Sequence, residues 1–337
     1  MATDAFRQEA KKLSETAIRF HVGTGKEERM WKEKFGEIYS KAAPLFVKMM
    51  HEGAKELVAA PEPRPNLERW LFTTLQQEID ADRFDGLVPV LEILVNKYPE
   101  ATELHRMMGM IAVMTCEYDK ARGSMEFLLT KDEFESQMNG LLSSLDELKA
   151  DYQVELAAQD ADRSGAPLPT AIIKTTRGNI EVELFENQAP ETVANFIYLA
   201  EMGVYENTPF HSGKQHFLVQ GGGDDVLEPP YKIYGEMKKP GARDFYRGTL
   251  GMAISGSPDS AYSQFFFSLI RNPEMDGEFT AFGRVTKGIE LVAAITKIDP
   301  DESKEKKKEK PKQIPDEILE VEITSKRDHE YLPNKAQ

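Results

Sequence analysis

Apolar residues recur every three or four positions through the first half of the chain and every second position through much of the second half. This change of period divides the sequence in two. In residues 30–49 the apolar set Met30, Trp31, Phe35, Ile38, Tyr39, Ala42, Leu45, Phe46 and Met49 falls on one helical stripe. Pro44 lies inside that stretch. It lacks an N–H and its ring crowds the preceding turn, which predicts a kink or a break. The segment PEPRP, residues 61–65, predicts a stiff extended connection to the next helix.

The helical half contains an internal repeat. RFDGLVPVLEILV at 83–95 aligns with EYDKARGSMEFLL at 117–129, an offset of 34 residues. Phe84-Asp85 matches Tyr118-Asp119, Leu87 matches Ala121, Leu91 matches Met125, and Leu94 matches Leu128. A 34-residue helix–turn–helix period resembles tetratricopeptide repeats. Gly109, Ala121 and Pro99 fit that pattern; Leu75 stands where a small residue is usual, and the second unit lacks a closing proline. Such a repeat implies a concave surface for a partner peptide. A helical domain that packs on a neighbour or dimerises fits equally well. Met107, Met108, Met110 and Met114 read as core filler in this domain rather than as a peptide-binding face.

AQDADRSGAPLP, residues 158–169, is small, polar and Pro/Gly-containing, and reads as a linker. Beyond it, AIIKTTRGNIEVELF presents two alternating runs around Arg177-Gly178-Asn179, a hairpin signal. A helix follows, with Pro190 in its first turn and Val193, Phe196, Ile197 and Ala200 as its apolar stripe. Short β segments HFLVQGG, GTLGMAIS, SQFFFSLI, TAFGRV and EILEVEITS complete the chain, as in a barrel or sandwich.

Taken in order, RGNIEVELF, APETVANFIYL, TPFH, FLVQGGG, GTLGMA, SQFFFSL and DGEFTAFGRV resemble the cyclophilins, peptidyl-prolyl cis–trans isomerases. The resemblance covers about residues 170–330. It implies a closed eight-stranded β-barrel with two capping helices, the second near Gly288–Ile295, and a substrate groove on the outside. The whole chain then reads as a multidomain protein: an all-α, tetratricopeptide-like domain at 1–157, a linker at 158–169, a cyclophilin-like domain at 170–332 and a tail at 333–337.

The implied chemistry is rotation about an X–Pro bond. Amide resonance sets its barrier at roughly 18–20 kcal/mol. A donor aimed at the prolyl nitrogen lowers that barrier by localising the lone pair, so no cofactor, metal or nucleophile is required. The resemblance places Phe217, Leu218, Phe266, Met275 and Phe279 around the proline ring. It puts Gln220 on a substrate carbonyl, Ala253 along the peptide track and Gln264 beneath the groove. His211 reads as a barrel-strand histidine with a hydrogen bond at the groove, and His216 as exposed. Strand alternation turns Phe265 and Phe267 away from Phe266, into the core.

Two departures bear on activity. Ser212 occupies the position of the family's catalytic arginine, and Glu274 that of a usual tryptophan. Serine carries no charge and reaches less far, so weakened isomerase activity is expected, with a non-catalytic binder of proline peptides as the alternative. Lys214, Arg243 and Arg247 are the nearby cations that could stand in for the arginine, Lys214 being two residues from Ser212 and so on the same face by strand alternation; solvated surface charges are the favoured reading for all three.

Composition narrows the partners. A net charge of −15 argues against a nucleic-acid phosphate partner. A single cysteine, Cys116, excludes an internal disulfide framework. No apolar run reaches membrane-spanning length, and MATDAFRQEA lacks a signal-peptide core, so the chain as given reads as soluble and cytoplasmic, or exported if a signal was trimmed. The expected partners are a proline-containing peptide or protein client and a protein partner for the helical domain. Gly23-Thr24-Gly25-Lys26 lacks the full phosphate-loop spacing, Asp224-Asp225 would repel an anion from Gly221-Gly222-Gly223, and the mixed-charge run 303–312 reads as a solvated loop.

Overall fold

The computed structural model describes residues 8, 11, 12, 15, 26–131, 136–223, 231–298 and 314–336. The run 303–312, Asp224-Asp225 and residues 23–25 lie outside them. The chain divides into two compact units, 1–11 with 41–161, and 12–40 with 162–337.

The first unit is helical. Helix α1 (Lys26–Ala59) contributes its C-terminal part and continues through Pro44 without interruption. It is followed by α2 (Pro65–Asp80), α3 (Val88–Lys97), α4 (Thr102–Met114), α5 (Tyr118–Thr130) and α6 (Ser136–Ser164). The 34-residue offset reappears in the backbone. Asp82 and Cys116 both adopt left-handed conformations, with φ of 60° and 63°. In each turn the next residue reaches back five positions: Arg83 N–H donates to the Glu78 carbonyl at 2.9 Å, and Glu117 N–H to the Ala112 carbonyl at 2.6 Å. These are two copies of one helix-terminating device, satisfying carbonyls the helix end leaves open. Met107 and Met108 are buried and Met110 and Met114 half-buried, in keeping with core filling. Helix α6 runs to Ser164, so the first seven residues of the predicted linker are helical.

The second unit is built on an antiparallel sheet. Its strands are β1 (Thr170–Thr175), β2 (Gly178–Leu184), β3 (Thr208–Pro209), β4 (Ser212–Lys214), β5 (Leu218–Gly221), β7 (Thr249–Met252), β8 (Phe265–Ser268), β9 (Thr280–Lys287) and β10 (Glu317–Ser325). Their hydrogen-bonded order is β3-β10-β1-β2-β9-β7-β8-β5-β4. Among the described residues the predicted closed eight-stranded barrel is therefore corrected to a sheet of nine strands with two free ends. Only Phe210 and His211 separate β3 from β4. Three Cα steps span at most about 11 Å, so the chain itself draws the two ends together. The sheet curls, but no ladder among the described residues seals it. The residues predicted to be a tail include β11 (Lys335–Ala336), which pairs with β6 (Lys232–Ile233).

Helix α7 (Pro190–Glu201) lays Val193, Phe196 and Ile197 into the core with Val219, Phe265, Phe267 and Phe282. Its N-cap, Ala189, has no side-chain acceptor. The buried Glu236 carboxylate substitutes, accepting from Thr192 N–H at 2.8 Å, Thr192 Oγ1 at 2.7 Å and Glu191 N–H at 3.2 Å. Helix α8 (Ile289–Ala294) is the short second helix the resemblance implied.

A second buried carboxylate, Asp316, ties the β1–β2 turn to the segment after α8. It accepts from Thr176 Oγ1 at 2.8 Å, Arg177 Nε at 2.9 Å, and Thr296 N–H and Oγ1 at 2.9 and 2.8 Å. Burial pushes its pKa up, but the Arg177 charge and the Thr296 and Arg177 hydrogen bonds outweigh that and hold it below 3.8. A depressed folded-state value means that the unfolded chain binds the proton more readily. The stabilisation from Asp316 is therefore complete above the unfolded value and is lost as pH falls through the folded one. Urea midpoints measured from about pH 6 to about pH 3 should fall more steeply for the native chain than for Asp316→Asn. Parallel profiles would show that this carboxylate does not carry the linkage.

Candidate functional site

Strands β5, β8 and β7, next to the edge strand β4, separate two apolar populations by alternation. In β8, Phe265 and Phe267 point into the core, while Phe266 points to the opposite face. There Phe266 packs with Phe245, Met275 and Ala281, and the half-buried Phe217, Leu218, Ala253 and Phe279 complete the cluster. Five predicted ring-pocket residues and the predicted track residue Ala253 therefore stand together. The Phe266 ring lies 5.4 Å from Phe279 in an edge-to-face pair and 5.6 Å from Phe245 in a stacked one. Such a group offers a dry apolar wall with two half-exposed rings at its rim.

The polar side of the site follows from strand register. β4 pairs with β5 so that Ser212 faces Gln220 and Lys214 faces Leu218, and β5 pairs with β8 so that Gln220 faces Phe266. Gln220 Nε2 donates to Gln264 Oε1 at 2.9 Å and lies 3.5 Å from His211 Nε2. Gln264 also fixes the track through its backbone, its carbonyl accepting from Ala253 N–H at 2.9 Å. The predicted residues Ser212, His211, Gln220 and Gln264 are thus neighbours, all half-buried. Glu274 is exposed beside the buried Met275. His216, expected to be exposed, is half-buried at φ 55°, in the turn closed by Phe217 N–H on the Lys214 carbonyl at 3.2 Å.

Two of the three nearby cations are not the solvated charges the sequence suggested. Arg243 is buried against Asp162 at 2.8 Å, with its guanidinium 4.2 Å from the Phe185 ring centre. Arg247 is half-buried and donates to the Leu269 carbonyl at 2.6 Å. Lys214 alone of the three is exposed.

Sequence reasoning missed Phe245 and Ala281, and with Phe245 the brace that fixes it. Phe245 N–H donates to Asp276 Oδ1 at 2.8 Å, and its carbonyl accepts from Asn272 N–H at 3.0 Å and Arg271 Nη1 at 3.1 Å. Arg271 closes the loop on Asp276 at 2.7 Å. This brace joins the segment before β7 to the turn bearing Met275, so both walls of the pocket share one support. The one available signal was Gly251, a residue without a side chain on a strand beside an aromatic pocket.

Comparison with known proteins places this geometry. Residues 170–323 match the family described as cyclophilin type peptidyl-prolyl cis-trans isomerase/CLD. Peptidyl-prolyl cis-trans isomerase-like 1 of Neurospora crassa is 37% identical over 134 residues, 38% of this chain and 82% of that protein. Peptidyl-prolyl cis-trans isomerase CYP18-2 of Arabidopsis thaliana is 34% identical over 147 residues, 41% of this chain and 85% of that protein. A Helicobacter pylori peptidyl-prolyl cis-trans isomerase is 38% identical over 131 residues, 38% of this chain and 79% of that protein. With its aromatic pocket beside paired glutamines, and with these relatives matched over most of their length, the chain belongs to the cyclophilin family, its family domain lying in residues 170–323.

Proposed function

We propose that the second unit is a prolyl isomerase of reduced activity that acts on X–Pro bonds of peptide or protein clients, as an aid to their folding. The observation that carries this reading is the apolar cluster around Phe266, set one strand from Gln220 and its partner Gln264. Phe217, Leu218, Phe266, Met275 and Phe279 would receive the proline ring. Gln220 would donate to the carbonyl of the residue before proline, since its amide has two N–H groups and Gln264 uses one. Ala253 would line the peptide, and His211 would flank Gln220. The ring is then fixed while the acyl side rotates, which requires no covalent chemistry. Weakened activity follows from Ser212: a charge-assisted hydrogen bond is worth about 1.5–3 kcal/mol.

Ser212 also favours a second reading, a domain that binds proline-containing segments without turning them. The helical unit would recruit a protein partner through its two matching helix turns, as tetratricopeptide repeats do. The charges lining its pocket at the start of α5 are largely spent on one another: Lys149 pairs with Asp119 at 2.7 Å, and Lys120 with Glu117 at 2.7 Å. That recruitment would therefore rest on shape more than on free charge.

Cis–trans exchange of an Ala-Pro peptide, followed by NMR with the full chain, separates the two readings. An isomerase speeds exchange, and Phe217→Ala removes most of the effect with only a modest fall in melting temperature, because this ring is half-buried at the rim of the cluster. Peptide shifts without faster exchange would identify the binder.

A further inference from the structure

We infer that Lys214 supplies the cation that position 212 lacks, its ammonium donating to the prolyl amide nitrogen of the bound substrate. The inference rests on the isomerase reading above and adds the residue that drives it.

Three observations place Lys214 at the mouth of the pocket. It directly faces Leu218 across the β4–β5 ladder. Residues paired in this way carry Cβ atoms about 4.5–5.5 Å apart on the same face, and Leu218 is a wall of the apolar cluster. Its carbonyl also accepts the Phe217 N–H at 3.2 Å, so a second pocket residue is fixed to it through one tight turn. Finally, Ser212 and Lys214 are two residues apart on one strand, so they share a face, and that face is the one bearing Gln220. The buried Gly213 between them turns the other way, towards Val219.

Chemistry supports the substitution. A lysine is a compact charge with three donors on a flexible four-carbon stem, so a Cα displaced by two residues need not displace the charge. Lys214 is exposed, and no described residue ion-pairs with it. Arg243 is committed to Asp162, Arg271 to Asp276, and Arg247 to the Leu269 carbonyl. A serine at 212 would moreover leave room over Gln220 for the stem to lie along the strand. The ammonium touches the pocket only when substrate is bound, so it is a solvated charge in the free protein and a donor in the complex.

The test is proline exchange in the full chain with Lys214→Ala, Lys214→Arg and the double variant Lys214→Ala with Ser212→Arg. If Lys214 is the donor, Lys214→Ala lowers the exchange rate at saturating peptide about 10- to 100-fold. Peptide affinity and melting temperature stay close to native, Lys214→Arg retains most of the rate, and Ser212→Arg restores it in the Lys214→Ala background. A merely structural lysine would shift affinity or melting temperature together with the rate, and Lys214→Ala would not lower the rate alone. Native catalysis that survives Lys214→Ala overturns the inference while leaving the isomerase reading intact. A native chain that binds peptide without catalysing exchange overturns both.

Discussion

Asp162→Ala should destabilise the second unit by about 3–5 kcal/mol, the usual consequence of removing one partner from a buried charge pair. The Asp162 and Arg243 side chains are 1% and 3% exposed and lie 2.8 Å apart. Arg284 Nη1 is 3.9 Å from the same carboxylate oxygen, and both guanidinia sit over the Phe185 ring, at 4.2 and 5.7 Å. Alanine would remove the buried carboxylate that Arg243 contacts at 2.8 Å, while Arg284 keeps its pair with Glu183 at 2.5 Å. Burying each ion costs several kcal/mol, and that cost is tolerable only while the pair is intact. Chemical unfolding followed by the aromatic signal of the second unit would measure the loss. Asp162→Asn should recover part of it, because the amide oxygen still accepts a hydrogen bond. A change below 1 kcal/mol for alanine would mean that Arg243 finds another acceptor.

That pair also shows where the sequence was unreadable. Residues 158–164 look like a linker because they are polar on every side, and composition cannot separate a solvated helix end from a flexible one. Ala, Gln, Asp and Arg are all compatible with helix, and the partner that gives Asp162 its role lies 81 residues away. The same limit explains the sheet. Period-2 alternation correctly sent Phe265 and Phe267 inwards and Phe266 outwards, since that is a property of one strand. Whether the sheet's last two strands join depends on hydrogen bonds between segments that alternation treats separately. The 34-residue offset in the helical half has a local counterpart: Asp82 and Cys116 end their helices in the same turn, so at these two points sequence spacing and backbone geometry coincide. The pocket residues that lie on strands or beside the Met275 turn were accessible through the family resemblance. Phe245 was not, because it lies off any strand and is held by backbone bonds to Asp276, Asn272 and Arg271, interactions that no side-chain pattern announces.

On the proposed isomerase reading, Gly251→Val should abolish proline-peptide binding and exchange while leaving the helical unit folded. Gly251 sits on β7 opposite Phe266. A Cβ at this position would stand 2.2 Å from Phe266 Cζ and 2.6 Å from Phe245 Cε1, inside contact distance of both stacked rings. Neither ring can simply retreat. Phe245 is pinned through its N–H and its carbonyl, and Phe266 is wedged against the Phe279 edge. The remaining direction for Phe266 is outwards, into the volume a proline ring would occupy. Overpacking of this kind costs about 1–3 kcal/mol of stability, whereas the loss of binding should be nearly complete because the obstructed volume is the site itself. Gly251→Ala tests the same geometry with a smaller insult and should weaken peptide binding at least tenfold. The compensating variant Gly251→Ala with Phe245→Leu, which relieves the crowding from behind, should restore part of that binding. Recovery would show that Phe245, a residue set behind the pocket, sets its depth. Full binding by Gly251→Val would instead place the proline ring elsewhere, since no arrangement of these three side chains admits both the valine methyls and a substrate at Phe266.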